Sequence, residues 1–416
     1  MSELIVTTFL ALFLVKWAVE TGLAGLNLVH ALSAPHTLPA PLVGLVDRET
    51  VLRSRAYSAA RLRYAIVSGS VGAALLLVLL FSGLLTWLEA VLAGLGLDGA
   101  HLFVTYLALL AVLSGLARLP FTLWRTFRIE TAFGFNRTGP GLWLLDRAKG
   151  LALGAALGIP FLYAVYGFMQ GTGGWWWLWL FAFIVLVQFV LVWLYPSVIA
   201  PLFNRFAPLP DGELRRGVEE LARRAGFRTG GIFTMDASRR SGHSNAYFTG
   251  FLRPRIVLFD TLLDEMSLDE SLAVLAHEMG HYRKGHIYKG LAIQMAGMLA
   301  GLWILSLLVD WPPLFAAFGF SAPSHYAALI LFLAMGGAFT FYLDPLLAWI
   351  SRRHEFQADA YSVALLAQPE ALKSALVRLN GQNLANLTPH PWYAAYHYSH
   401  PTLPQRLAAI DRASAG

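Results

Sequence analysis

The chain has no cysteine and little charge. With Cys 0 it can form no disulfide, use no thiol nucleophile and hold no metal through thiolate. Asp, Glu, Lys and Arg make up only 13% of its 416 residues, too few to solvate the surface of a soluble protein of this size. The formal charge of +6 comes without any basic run interleaved with aromatics, so it marks no nucleic-acid surface. There is no sequence repeat and no low-complexity segment. What fills the chain is apolar: 57% of residues are hydrophobic and the mean hydropathy is +0.56. That composition belongs to a multi-pass α-helical membrane protein.

Seven apolar spans can be read: Leu4–Leu28, Tyr64–Leu88, Leu102–Leu119, Leu151–Met169, Trp175–Tyr195, Leu291–Trp311 and Ala327–Ile350. Lys16 and Glu20 interrupt the first. They lie four apart on one helix face and can pair toward the interior of the bundle. Trp175, Trp176 and Trp177 form an interfacial anchor ahead of the fifth span. The links after spans two, four and six hold no Lys or Arg, whereas those after one, three, five and seven do. By the positive-inside rule the N-terminus is outside and the C-terminus cytoplasmic. The chain thus divides into 1–195 (five spans with cytoplasmic loops), 196–290 (a soluble α+β domain), 291–350 (two spans) and 351–416 (a helical cytoplasmic tail).

In the soluble part, Asp211 to Gly226 reads as an amphipathic helix, and Ile232–Met235, Asn245–Thr249 and Ile256–Phe259 as short strands, with Gly250 to Pro254 turning the last two into a hairpin. The segment with the most chemistry follows, SLDESLAVLAHEMGHYRKG from Ser267 to Gly285. Ser267 and Glu270 form a capping box, and Gly285 is a stop signal. His277 and His281 are four apart, so both imidazoles leave one helix face and converge on one ion. Glu278 beside them completes H-E-x-x-H, the zinc-metallopeptidase arrangement, with Glu278 as general base.

A catalytic zinc needs a third protein ligand, and the absence of cysteine leaves His, Asp and Glu. Two carboxylates qualify. Asp344 lies within the seventh span, where an ionisable group is by default a functional suspect. Glu355 lies just past it, with Asp359 four residues on and placed to orient a ligand imidazole. His286 and His243 flank these segments and read as structural. An intramembrane site-2-type protease would bury its H-E-x-x-H in a span. Here Asp264, Glu265, Asp269, Glu270, Arg283 and Lys284 surround the motif, which argues against hydrocarbon.

HEMGHYRKGH and SRRHEFQADAYS together resemble the CAAX prenyl protease 1 family, integral-membrane gluzincin metallopeptidases. So do IETAFGFNRT, IAPLFNRFAPLPDGEL, RSGHSNAYFTGF, NLTPHPWY and YHYSHPTLPQRL. The resemblance implies seven transmembrane helices enclosing a water-filled chamber capped by a zinc domain. It implies one Zn²⁺ per chain, held by His277, His281 and Glu355, with Asp344 structural. It gives Asn245 and His400 to the tetrahedral intermediate. It implies cleavage near the C-terminus of prenylated or otherwise membrane-associated proteins, so the expected partners are peptide or protein substrates and membrane lipids. The excess of Arg over Lys and an ending in ASAG, not a dilysine-type signal, point to a bacterial inner membrane. The rival readings are a heat-shock-type membrane metallopeptidase, which would have fewer spans, and a non-catalytic zinc-containing chaperone chamber, which would not need Glu278.

Overall fold

A computed structural model describes residues 1–33, 38–226, 229–249 and 255–414. Among them seven helical segments are long and apolar enough to cross a membrane. In chain order the helices are α1 (Ser2–Ser33), α2 (Arg48–Phe81), the short apolar α3 (Leu84–Gly94), α4 (Gly99–Leu123), α5 (Pro140–Gly171) and α6 (Trp176–Leu194). The sheet and helices of the catalytic part follow: β1 (Phe206–Pro208), α7 (Glu213–Arg224), β2 (Ile232–Met235), β3 (Ala246–Thr249), β4 (Arg255–Phe259), α8 (Asp260–Leu263) and α9 (Leu268–Arg283). The chain then re-enters the membrane with α10 (His286–Leu308), makes a short α11 (Pro312–Ala317), and crosses again with α12 (His325–Thr340) and the start of α13 (Asp344–Leu366). It ends in α14 (Pro369–Gln382), α15 (Pro391–His397) and α16 (Leu403–Ser414).

The helices outrun the spans read from composition, because an apolar window marks only the hydrocarbon, whereas a helix continues into water. Thus α2 starts at Arg48, within a stretch that reads as a basic loop. It stops at Phe81 instead of continuing to Leu88, because Gly83 adopts φ 78° and breaks the ladder. The fifth span does not end at Tyr195 but loosens to i→i+5 bonding over Tyr195–Ile199 and reaches Leu202. Pro196 lacks the N–H that regular bonding needs.

The spans enclose a hollow. In six of them the most apolar window is only 6% to 22% buried, against 39% for His325–Leu366. A solid bundle would hide a stripe of about 100° on every helix. Burial concentrates instead at one end. There Phe9, Leu85, Phe103, Tyr106, Leu180, Phe315 and Leu331 form one cluster from nearly every span, and the Tyr106 hydroxyl donates to Leu85 O at 2.8 Å. Deeper along α1, Lys16 Nζ and Glu20 Oε2 pair at 2.7 Å and remain partly exposed, with Lys16 over the Phe341 ring.

The other end is closed by a four-stranded sheet of order β1-β2-β4-β3 with helices packed on it. β2 and β4 are parallel, and β3 pairs antiparallel with β4 from Ala246↔Leu258 to Thr249↔Arg255, leaving β3 at the edge. The hairpin pairing matches the sequence reading; its turn, Gly250 to Pro254, lies outside the described residues. β1 was not legible: three residues ending in Pro208 are too few to show alternation. Ile256, Leu258, Leu275 and Met279 are at most 1% exposed and join sheet to α9 in one core.

Candidate metal centre

α9 is fixed at its start by local chemistry. Ser267 Oγ accepts from Glu270 N, and Glu270 Oε2 accepts from Ser267 N at 2.9 Å, the reciprocal cap read from sequence. Arg378 Nε donates to the other oxygen of Glu270 at 3.2 Å, tying the cap to α14. The His face of α9 lies against α13, and Gly280 sets how closely. A Cβ there would stand 3.0 Å from Ala358 Cα and 3.2 Å from its carbonyl oxygen. Backbone cannot swing aside as a side chain can. Gly280→Ala is therefore expected to cost about 1–3 kcal/mol and to weaken metal binding, read as a lower Tm and a lower metal content. An unchanged Tm would mean the helices are not in firm contact.

This crossing brings His277, His281 and Glu355 together, with their ligand atoms all within 4.8 Å of one another. His281 Nε2 stands 3.2 Å from both His277 Nε2 and Glu355 Oε1. His277 Nε2 is 3.5 Å from Glu355 Oε2. That carboxylate oxygen is buried without a hydrogen bond. Two imidazole nitrogens and a carboxylate crowded at this range, with one oxygen orphaned, form a set that a cation satisfies and that no arrangement of their own protons does as well. A metal fits these residues.

Asp359 and Arg406 fix the donors from behind. His277 Nδ1 lies 2.8 Å from Asp359 Oδ1, so its N–H points there and its Nε2 lone pair faces the cluster. Arg406 grips Asp359 with Nε at 2.9 Å and Nη2 at 2.6 Å. Burial opposes charge on the His277 ring, but the hydrogen bond to Asp359 and the nearby Glu355 carboxylate outweigh it and hold its pKa above the ordinary imidazole range. His281 is held in turn. Its Nδ1 lies 3.1 Å from His286 Nδ1, and His286 Nε2 lies 2.8 Å from Gln357 Oε1. The tautomers close consistently: His281 donates to His286, and His286 donates to Gln357. His286, read as structural, thus orients a donor of the cluster. Arg406 and Gln357 were missed.

Glu278 lines a cavity of about 340 Å³ together with His277, Glu355, Asn245, His400 and Arg406. Burial pushes its carboxyl above the usual range. The neighbouring imidazoles pull it back, whereas Glu355 adds to the rise. Asn245 stands where β3 begins; its Oδ1 accepts from Ala246 N at 2.8 Å, leaving Nδ2 with no hydrogen bond among the described residues. His400 Nε2 is 3.3 Å from Glu355 Oε1. The backbone leading to Asn245 is held through His243, which stacks on Phe135 at 3.9 Å, bonds Asn383 Oδ1 at 2.9 Å and stands 3.5 Å from Glu130 at the inner end of the third span. Asp344 is not in the cluster. It is exposed at the first turn of α13, eleven residues or about 16 Å of helix from Glu355.

Three metal donors shared between two crossed helices, with a neighbouring carboxylate outside the set and a membrane hollow beneath, define an integral-membrane metallopeptidase. Comparison with known proteins agrees. Residues 29–205 match the family described as CAAX prenyl protease N-terminal, five membrane helices, and residues 208–414 match peptidase family M48. A rice relative, CAAX prenyl protease 1 homolog, is 38% identical over 92% of both chains. The Saccharomyces cerevisiae CAAX prenyl protease 1 is 37% identical over 91% of this chain and 89% of its own. The crystal structure of S. mikatae Ste24p superposes with a TM-score of 0.90 at 33% identity, covering 97% of this chain and 98% of that one. The chain belongs to the CAAX prenyl protease 1 family of membrane metalloendopeptidases, which act on peptide bonds of protein substrates. These relatives are eukaryotic and give the bacterial reading no support.

Proposed function

We propose that the chain is a zinc endopeptidase cutting near the C-terminus of prenylated or otherwise membrane-associated proteins. The observation that carries this reading is the His277–His281–Glu355 cluster, of which His277 and Glu355 open with Glu278 into one cavity. The names of the relatives supply the substrate class. The all-nitrogen-and-oxygen donor set, two His and one Glu, is one that catalytic zinc uses. When bound, zinc acidifies a water and polarises the scissile carbonyl. Glu278 takes the proton of the attacking water and delivers it to the leaving amine. Its raised pKa suits a group that must both accept and return a proton. Asn245 Nδ2 and His400 donate to the carbonyl oxygen as it gains charge. The exposed edge of β3 pairs with the extended substrate backbone. By the positive-inside rule, the arrangement of Lys and Arg supports a cytoplasmic site and an outside N-terminus.

The test is metal content and turnover together, using purified full-length protein, a farnesylated CAAX peptide and its unprenylated twin. One zinc per chain and faster cleavage of the farnesylated peptide are expected. Another metal at full activity would overturn zinc. Equal rates would remove the lipid from the specificity. A zinc-loaded protein that cuts neither peptide would favour a chaperone chamber.

A further inference from the structure

A second cavity, of about 760 Å³, meets the catalytic one at His400, which lines both. Its walls are largely apolar, with Leu38, Leu387, Pro391 and Ala395 among them. Two guanidinium side chains, Arg55 and Arg352, also line it, and no Asp or Glu does. An apolar enclosure with charge of a single sign suits an apolar ligand that ends in the opposite charge. Arg352 Nη1 donates to Tyr398 O at 2.6 Å, which fixes the guanidinium with one of its five donors.

From this we infer that the cavity holds the departing end of the substrate, and that Arg352, supported by the charge of Arg55, binds its free C-terminal carboxylate. The inference rests on the peptidase reading and refines it. A substrate paired with β3 lies in the cavity that Asn245, His277, Glu278, Glu355 and His400 line together, and His400 is also a wall of the second cavity. What lies beyond the scissile bond therefore enters the second cavity. The reach is right. Arg352 and Glu355 sit three apart on α13, about 5–6 Å between Cβ atoms, and three extended residues span about 10 Å. Apolar side chains meet the apolar wall, and the carboxylate meets the fork of an arginine, the geometry that grips carboxylates best. Selection for a chain terminus then comes from this pocket and not from the zinc chemistry, which is indifferent to sequence.

The experiment compares one farnesylated peptide ending in a free carboxylate with the same peptide ending in a carboxamide, measuring KM and kcat separately. The proteins are wild type, Arg352→Gln and Arg352→Lys, each checked for metal content and Tm. Wild type is expected to show a KM about tenfold or more higher for the amide, the worth of a charge-assisted hydrogen bond, with kcat little changed. Arg352→Gln is expected to raise KM for the acid to the level of the amide and to be blind to amidation; Arg352→Lys should recover part of the preference. Equal KM values for acid and amide in wild type would overturn the inference while leaving the peptidase reading intact. So would an Arg352→Gln protein that still distinguishes the two. If Arg352→Gln lowers Tm, Arg55→Gln provides the same comparison. Failure of wild type to cut either peptide sinks the peptidase reading itself, and the inference with it.

Discussion

Glu278→Gln is expected to lower kcat about a thousandfold while leaving one metal per chain. Glutamine keeps the size and one oxygen of the side chain but cannot take a proton from water. General acid–base catalysis by a single positioned group is worth about 10²–10⁴-fold, and each factor of ten is about 1.36 kcal/mol of barrier. A thousandfold is the middle of that range, above its floor because in the proposed mechanism the same carboxyl serves twice, as base toward water and as acid toward the leaving amine. Metal content should not follow, since the donors within 4.8 Å of one another are His277, His281 and Glu355. The decisive readout is the pairing of the two measurements. A variant that keeps a tenth of wild-type turnover would place the base elsewhere, and one that loses metal would make Glu278 a ligand.

The largest effect on stability is expected from Asp359→Ala. Asp359 is 1% exposed and Arg406 9%, and two hydrogen bonds of 2.9 Å and 2.6 Å join them. Removing one partner of a buried pair leaves the other charge uncompensated, at about 3–5 kcal/mol. The same change deprives His277 of the carboxylate that fixes its tautomer, which costs about 10–100-fold in metal affinity. The two consequences separate in a double variant. Asp359→Ala with Arg406→Leu removes both charges and should regain most of the lost Tm. Metal affinity should stay low, because His277 remains unoriented. Recovery of both would show that Asp359 serves packing alone, and recovery of neither would point to a wider collapse of the α9–α13 contact.

How much of this was open to sequence reasoning depended on distance along the chain. The helix carrying His277 and His281 is local: its cap, its stripe and its stop lie within Ser267 to Gly285, and the structure reproduces them nearly residue for residue. The seven spans were equally plain, since twenty apolar residues in a row admit few other readings. Arg406 was out of reach. It lies 129 residues from His277, in a helix whose pattern resembles any amphipathic tail. The choice between Asp344 and Glu355 stayed open on residue pattern for a sharper reason. Eleven residues make just over three full turns, so both carboxylates project from nearly the same face of α13. Periodicity cannot separate them. Only depth does, and depth is set by where α9 crosses, at the Gly280–Ala358 contact. The resemblance to a known family supplied the answer that spacing could not.

The apolar cluster where the spans converge has an electrical meaning. A hollow that admits water deep into a bilayer thins the insulating layer to whatever seals its far end. Here the seal is a layer of side chains, with Phe9 of α1, Phe103 and Tyr106 of α4, and Ala327 and Leu331 of α12 each 0% exposed. No ion crosses such a layer without shedding its hydration, a cost of many times the thermal energy. With such a layer in place, a membrane keeps its voltage even where water fills the hollow. The same layer bears the full field drop, so a charge placed among those rings would weaken the insulator as well as the packing.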